Sequence, residues 1–296
     1  MNQFTLWADS KCDIAENPLW NQIDQRLYWK GSNPGEIFRK GMAGTPNDFE
    51  RFQLPMGLVG GFAFMPQGEL LIFAQGGTVW RWRPGNDPVL LATLPGADDK
   101  AYFNDVIADP EGRVYCGVLA HDFFTATRGK HGSLWRFDPD GTFHCMEAET
   151  GACPNGMGFS PDLRYFYFVM SDEQTIYRYD YDRMTGNLSA RKVLINAPGC
   201  DGMTMDAAGN LWVALWGEAL VCYAPDGARV RTYPRPEKIW GISSVIFGGP
   251  DFNTVFISTA NSLHDAEAAK FFGGGIFLLN EKVPGQAEFH AVNLLS

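Results

Sequence analysis

Four residues with oxygen donors stand at the start of apolar segments of this sequence. They are Glu16, Asn104, Asn155 and Asp201, and each is followed directly by Asn, Asp or Gly. A single Asn or Asp in such a place is often an ordinary turn residue. Carboxylate and amide oxygens together, with water completing the shell, suit calcium, magnesium, manganese or ferrous iron. The set predicts a divalent-metal site if the fold brings these positions together.

The sequence is repetitive, and the repeat explains why such positions recur. A unit with a polar or small start, an apolar strand, a turn and aromatic-rich strands occurs six times, with starts about 40 to 50 residues apart. The copies begin at Asn17, Gly61, Asn104, Asn155, Asp201 and Ser243. This spacing is typical of propeller blades, whereas a β-sandwich would need six coincidental similarities. We expect an all-β, six-bladed β-propeller forming one domain over residues 1–296.

In a propeller the innermost strand of each blade begins near one mouth of the central channel, so residues distant in sequence converge there. The blade starts are therefore the predicted site. Residues 4–7 and 288–292 both alternate apolar and polar side chains. We expect both segments in the same blade, where they would close the ring and remove an open sheet edge. Residues 262–270 could form one or two helical turns in a loop.

Composition narrows the classes of partner. The formal net charge is −10 and no basic cluster appears, which argues against nucleic acid or anionic lipid. The sequence shows neither a signal peptide nor an apolar stretch long enough to span a bilayer. We expect a cytoplasmic protein without a nucleic-acid or membrane partner, as a monomer or weak homo-oligomer.

Cysteine and histidine patterns exclude several kinds of site. The six cysteines lack the paired short spacings of a zinc site or disulfide framework, so we expect reduced and mostly buried thiols. None of the five histidines stands in an HExxH motif, and no GxSxG or Walker motif occurs. A metal site in this chain must depend on oxygen ligands.

Ordered motifs along the chain carry a family resemblance. They are NPLWNQIDQRLYW after Glu16, FND followed by ADPEGR from Phe103, CPNGMGFSPD around Asn155, CDGMTMDAAGNLWVALWG from Cys200, and FGGPDFNTVFISTA from Phe247. Together they resemble the SMP-30/gluconolactonase/regucalcin family over essentially the whole chain. The resemblance implies that Glu16, Asn155 and Asp201 bind one divalent metal, with Asn104 beside it in contact with substrate. Calcium or zinc is the expected ion, and manganese, magnesium and ferrous iron are alternatives.

Two positions depart from the family pattern. Tyr102 stands where aldonolactonases of the family often have Arg, and His121 stands where they often have Glu; both are predicted substrate contacts. The long segment 122–131 is predicted to fold over the metal face. Its Arg128 and Lys130 are predicted to meet an anionic substituent of the substrate, the alternative being solvated loop charges.

The resemblance implies a lactonase, and the chemistry of ester hydrolysis indicates how it would work. We expect a metal-dependent hydrolase that opens a sugar-acid lactone, such as an aldonolactone, with metal-activated water. Asp201 is the expected metal ligand with a general-base contribution, and Glu16 is expected to be a ligand only. The alternatives are a phosphoester-hydrolysing relative and a non-catalytic calcium-binding propeller.

Overall fold

The computed structural model describes residues 3–120, 131–261 and 273–292. These residues form β-strands and one short 3-10 turn at Gln75–Gly77, with no α-helix among them. The helix predicted at 262–270 lies outside the described residues. Nowhere in the described ranges is there a helix long and apolar enough to cross a membrane.

The chain divides into two compact units, each with three four-stranded antiparallel sheets. The first unit comprises the described residues of Met1–Gln53 and Ala197–Ala287. Its strands are β1 (Phe4–Ala8), β2 (Glu16–Asn21), β3 (Arg26–Lys30), β4 (Glu36–Gly41), β5 (Glu50–Gln53), β18 (Cys200–Met205), β19 (Leu211–Leu215), β20 (Ala219–Tyr223), β21 (Arg229–Pro234), β22 (Gly241–Gly248), β23 (Thr254–Ala260) and β24 (Ile276–Lys282). They pair in the orders β2-β3-β4-β5, β18-β19-β20-β21 and β1-β24-β23-β22.

The second unit comprises the described residues of Leu54–Asn196 and Glu288–Ser296. Its strands are β6 (Val59–Phe64), β7 (Leu70–Ala74), β8 (Thr78–Trp82), β9 (Val89–Thr93), β10 (Phe103–Ala108), β11 (Val114–Val118), β12 (Ser133–Phe137), β13 (Phe143–Glu147), β14 (Pro154–Phe159), β15 (Tyr165–Met170), β16 (Thr175–Asp182) and β17 (Asn187–Asn196). They form three sheets of consecutive strands, β6 to β9, β10 to β13 and β14 to β17.

These six sheets are the blades of a six-bladed β-propeller, which confirms the predicted fold class. The first strands β6, β14 and β18 are buried at every position, whereas the last strands β9 and β17 are largely exposed. That one domain spans residues 1–296 stays a prediction.

The hairpin between β10 and β11 shows what the ADPEGR motif does. Asp109 Oδ1 accepts the main-chain N–H groups of Glu111 and Arg113 at 2.9 and 3.0 Å, and Gly112 has a φ of 85°. Asp109 Oδ2 accepts from Arg113 Nε at 2.6 Å and from the Tyr181 hydroxyl at 2.8 Å. The carboxylate is fully buried with its charge paired. This motif shapes a turn and ties it to β16, so its role is structural.

The two chain ends behave differently. β1 pairs with β24, Phe4 facing Leu279, so the N-terminal strand completes the sixth blade as expected. Residues 288–292 form no strand, and the prediction that they join that blade is wrong. The N–H groups of Ala291 and Val292 donate instead to the carbonyls of Phe64 and Gly112 in the second unit. There Ala291 packs in an apolar cluster, which outweighs the pairing that alternation alone suggested.

All six cysteines are free, as expected, and four of them are buried: Cys12, Cys116, Cys200 and Cys222. Burial raises the pKa of Cys12 to about 12 and that of Cys222 to about 11. Both thiols are therefore protonated near neutral pH, where a protonated thiol is a poor nucleophile.

Candidate metal centre

A β-bulge lies at the head of each strand that carries a predicted ligand. In β14, Asn155 and Gly156 together face the single residue Val169 of β15. In β18, Asp201 and Gly202 occupy the equivalent bulge. A bulge leaves residues outside the regular ladder and re-aims their side chains, which is why bulges are frequent beside active sites.

The same irregularity appears in β10 and β2. Asn104 and Asp105 form the bulge of β10, at the positions that correspond to the bulges of β14 and β18. In β2 the bulge contains Asn17 and Pro18, so Glu16 lies one residue earlier than the other predicted ligands. The polar residues are apparent in the sequence, whereas the bulges are not. The signal was the Gly, Pro or Asp beside each one, which weakens a regular strand.

The second unit brings Asn104 and Asn155 to one backbone segment. Asn104 Nδ2 donates to the carbonyl oxygen of Pro154 at 2.7 Å, and Asn155 Nδ2 donates to Ser171 Oγ at 3.0 Å. Asn155 is 8% exposed. Each side-chain nitrogen donates to a protein acceptor, and the oxygen is the atom of an amide that binds a cation.

Tyr102 has a main-chain partner that sequence could not show. Its hydroxyl donates to the carbonyl oxygen of Val59 at 3.2 Å, and its ring is half-buried. This bond ties the loop before β10 to the first residue of β6. The contact of Tyr102 with substrate stays a prediction.

The first unit holds the two carboxylates. Glu16 Oε2 accepts the main-chain N–H of Asn17 at 3.1 Å, and Asn17 itself has a φ of 47°. Asp201 is 9% exposed. The strands that carry these carboxylates, β2 and β18, both pack against β22. Asp201 is buried and Glu16 is partly buried, and a carboxylate withdrawn from water needs hydrogen bonds or a cation to offset the loss.

Packing explains the residues around these two strand heads. A Cβ on Gly202 would lie 2.1 Å from Ser244 Oγ and 2.8 Å from Ser244 Cα, so only glycine fits after Asp201. Ser243 is fully buried and its hydroxyl donates to the carbonyl of Ala15 at 2.6 Å. The serines that begin the sixth repeat therefore serve close strand packing.

Three predicted substrate residues, His121, Arg128 and Lys130, lie outside the described residues. Their predicted roles stay predictions. The segment 122–131 is described only at His131, whose Nδ1 lies 3.3 Å from the carbonyl oxygen of Thr150.

The chemistry of the predicted donors fits a hard cation. Within the part of the chain that the structure describes, no three His, Cys, Asp or Glu side chains are grouped so as to hold a metal. The predicted set of Glu16, Asn155 and Asp201 combines two carboxylates with one amide oxygen. Two carboxylates with an amide oxygen suit calcium, whereas a zinc site would ordinarily contain His or Cys.

The chain is similar to known proteins along nearly its whole length. The family model described as SMP-30/Gluconolactonase/LRE-like region matches residues 14–261 of this sequence. Pentonolactonase XacC of Haloferax volcanii is 35% identical over 298 residues, covering 97% of each chain. The 6-deoxy-6-sulfogluconolactonase of Pseudomonas putida is 28% identical over 93% of this chain and 94% of its own.

A solved structure extends the comparison to the fold. The calcium-binding protein regucalcin of Agrobacterium tumefaciens superposes with a TM-score of 0.86 at 23% identity, covering 96% of each chain. The propeller architecture is therefore shared along nearly the whole length.

Proposed function

Because the chain belongs to the SMP-30/gluconolactonase/LRE-like family, we propose that it is a metal-dependent lactonase that opens a sugar-acid lactone. The observation that carries the proposal is the placement of Asn155 and Asp201 in equivalent bulges, with Glu16 beside a third. Two relatives that match nearly the full chain are named as lactonases, which supports a hydrolase acting on a carboxylic ester.

The proposed site holds one divalent cation through Glu16, Asn155 and Asp201. A cation bound there supplies Lewis acidity for the lactone carbonyl and lowers the pKa of the attacking water. The all-oxygen donor set favours calcium, and a relative described as calcium-binding supports that choice. Zinc, manganese, magnesium and ferrous iron are the alternatives that metal analysis distinguishes.

The chain's own residues then have separate roles. Asp201 accepts the proton of the water that attacks the carbonyl carbon. The ring C–O bond then breaks as this proton passes to the departing ring oxygen, which gives the open hydroxy acid. Glu16 stays a ligand only. One N–H of Asn104 is bonded to Pro154, and its second N–H is proposed to donate to a substrate oxygen.

Specificity is proposed to come from other residues. The Tyr102 hydroxyl donates its hydrogen to Val59, so it offers a sugar hydroxyl an acceptor rather than a donor. His121, Arg128 and Lys130 are proposed to contact the sugar, the last two through an anionic substituent. The relative named for a sulfonated lactone supports a test of such substrates.

Lactone opening, followed as acid release, tests this function. The rate of opening would be measured for pentonolactones, hexonolactones and a 6-sulfonated lactone. Each rate would be taken before chelation, after chelation, and after each candidate ion is restored. We expect opening above the spontaneous rate, lost on chelation and regained with calcium or a substitute.

The alternatives give different results in the same experiment. Activity that survives complete metal removal would contradict metal dependence. If no lactone opens but an aryl phosphate ester is cleaved, the protein is a phosphoesterase. Metal binding without either activity would identify a non-catalytic calcium-binding propeller.

A further inference from the structure

The loop that joins β15 to β16 clamps the segment leading to Asn155. Ser171, the first residue of this loop, accepts the Asn155 amide at its Oγ, and its main-chain N–H donates to the carbonyl of Cys153 at 3.1 Å. Ser171 thus contacts both the candidate ligand and the backbone two residues before it.

Asp172 completes the clamp with its carboxylate. Oδ2 accepts the main-chain N–H of Ala152 at 2.8 Å, and Oδ1 accepts that of Cys153 at 2.9 Å. Bonds to an ionised acceptor are shorter and stronger than neutral ones, so two in parallel fix both position and orientation. Pro154 is held as well, because its carbonyl accepts from Asn104.

The position of Asn155 makes such support necessary. The bulge removes Asn155 from the regular ladder, so strand pairing does not fix its direction. The terminal torsion of an Asn side chain is broad and roughly two-fold, so nitrogen and oxygen can exchange places unless a partner selects one. Ser171 supplies one such partner, because its Oγ accepts from the Asn155 nitrogen.

We propose that Ser171 and Asp172 are positioning residues for the cation site. Asp172 fixes the main chain of Ala152 and Cys153, and Ser171 fixes the Asn155 amide with its oxygen turned toward the cation. This inference rests on the proposed metal site. Residues that orient a metal ligand commonly change metal affinity by 10- to 100-fold when they are removed.

The test compares metal affinity and amide orientation in Ser171→Ala. Calorimetric titration with calcium and manganese should show a dissociation constant raised by about 10-fold. Ser171→Thr keeps the hydroxyl and should bind both ions with the dissociation constants of the wild-type protein. Ser189→Ala, which alters an exposed serine on the same sheet, is the matched control. Metal-free Ser171→Ala should unfold within about 4 °C of wild type, which separates positioning from general instability.

A second measurement needs no metal. In the NMR spectrum of the metal-free protein, the side-chain amide signals of Asn155 can be assigned by their loss in Asn155→Ala. These signals should shift in Ser171→Ala and should lie at their wild-type positions in Ser171→Thr. Unchanged amide signals with a wild-type dissociation constant would overturn the positioning role. If the wild-type protein binds no metal, or if Asn155→Ala binds metal as tightly as wild type, the proposed site is wrong and this inference falls with it. Loss of affinity in Asn155→Ala but not in Ser171→Ala would overturn the inference alone.

Discussion

Replacing Asp201 with Asn is expected to lower kcat/KM for lactone opening by about 1,000-fold, for every lactone alike. Asn has nearly the same volume, so the buried strand head should keep its packing. It cannot accept the proton of the attacking water, and it removes one negative charge from the cation site. Steady-state kinetics on two or more lactones, at saturating metal, measures the effect.

The control for this variant is Asp251→Asn, which makes the same change at an exposed turn residue. It should retain wild-type kinetics. A loss of kcat/KM confined to one lactone would mean that Asp201 recognises the substrate and does not take part in the chemical step common to all lactones. Full activity with full metal occupancy in Asp201→Asn would show that the site is assigned to the wrong residues.

Replacing Gly202 with Ala should lower the free energy of unfolding by about 3 kcal/mol, near the upper end of the usual cost of overpacking. The new methyl group would meet Ser244 at its Oγ, Cβ and Cα, and a main-chain atom cannot turn aside as a side chain can. Equilibrium denaturation in urea measures the change.

Two further variants show whether this clash is the cause. Gly217→Ala adds a methyl group where no atom lies within 4 Å, and it should leave stability nearly unchanged. The double variant Gly202→Ala/Ser244→Gly removes two of the three clashing atoms and should recover part of the loss. Equal destabilisation by the Gly217 and Gly202 variants would mean that close packing of β18 against β22 is not what requires glycine.

The blade repeat was visible in the sequence because each copy combines the same turn chemistry with the same run of strands. The repeat predicts that Asn104, Asn155 and Asp201 lie near strand heads, and each is the second residue of its strand, β10, β14 or β18. The bulges were not visible, because alternation reports which residues are apolar but not the register between strands. Asn-Gly and Asp-Gly resemble turn pairs when the partner strand is unknown.

Contacts that depend on tertiary structure were also beyond the sequence. Ser171 and Asp172 lie in the loop after β15, and their partners are Ala152, Cys153 and Asn155, at and just before the start of the neighbouring strand β14. Residues 288–292 alternate like a strand, yet their hydrogen bonds go to Phe64 and Gly112. The alternation of residues 288–292 does not show whether they bond to Phe64 and Gly112 or to the edge of the sixth blade.

The location of the bound ion tests the central claim most directly. Crystals of the full chain soaked in manganese, with anomalous diffraction recorded on both sides of the manganese edge, would give its position. We expect one principal site ligated by the carboxylates of Glu16 and Asp201 and the amide oxygen of Asn155. A principal site that lacks these residues, or none at a manganese concentration that supports lactone opening, would contradict the account.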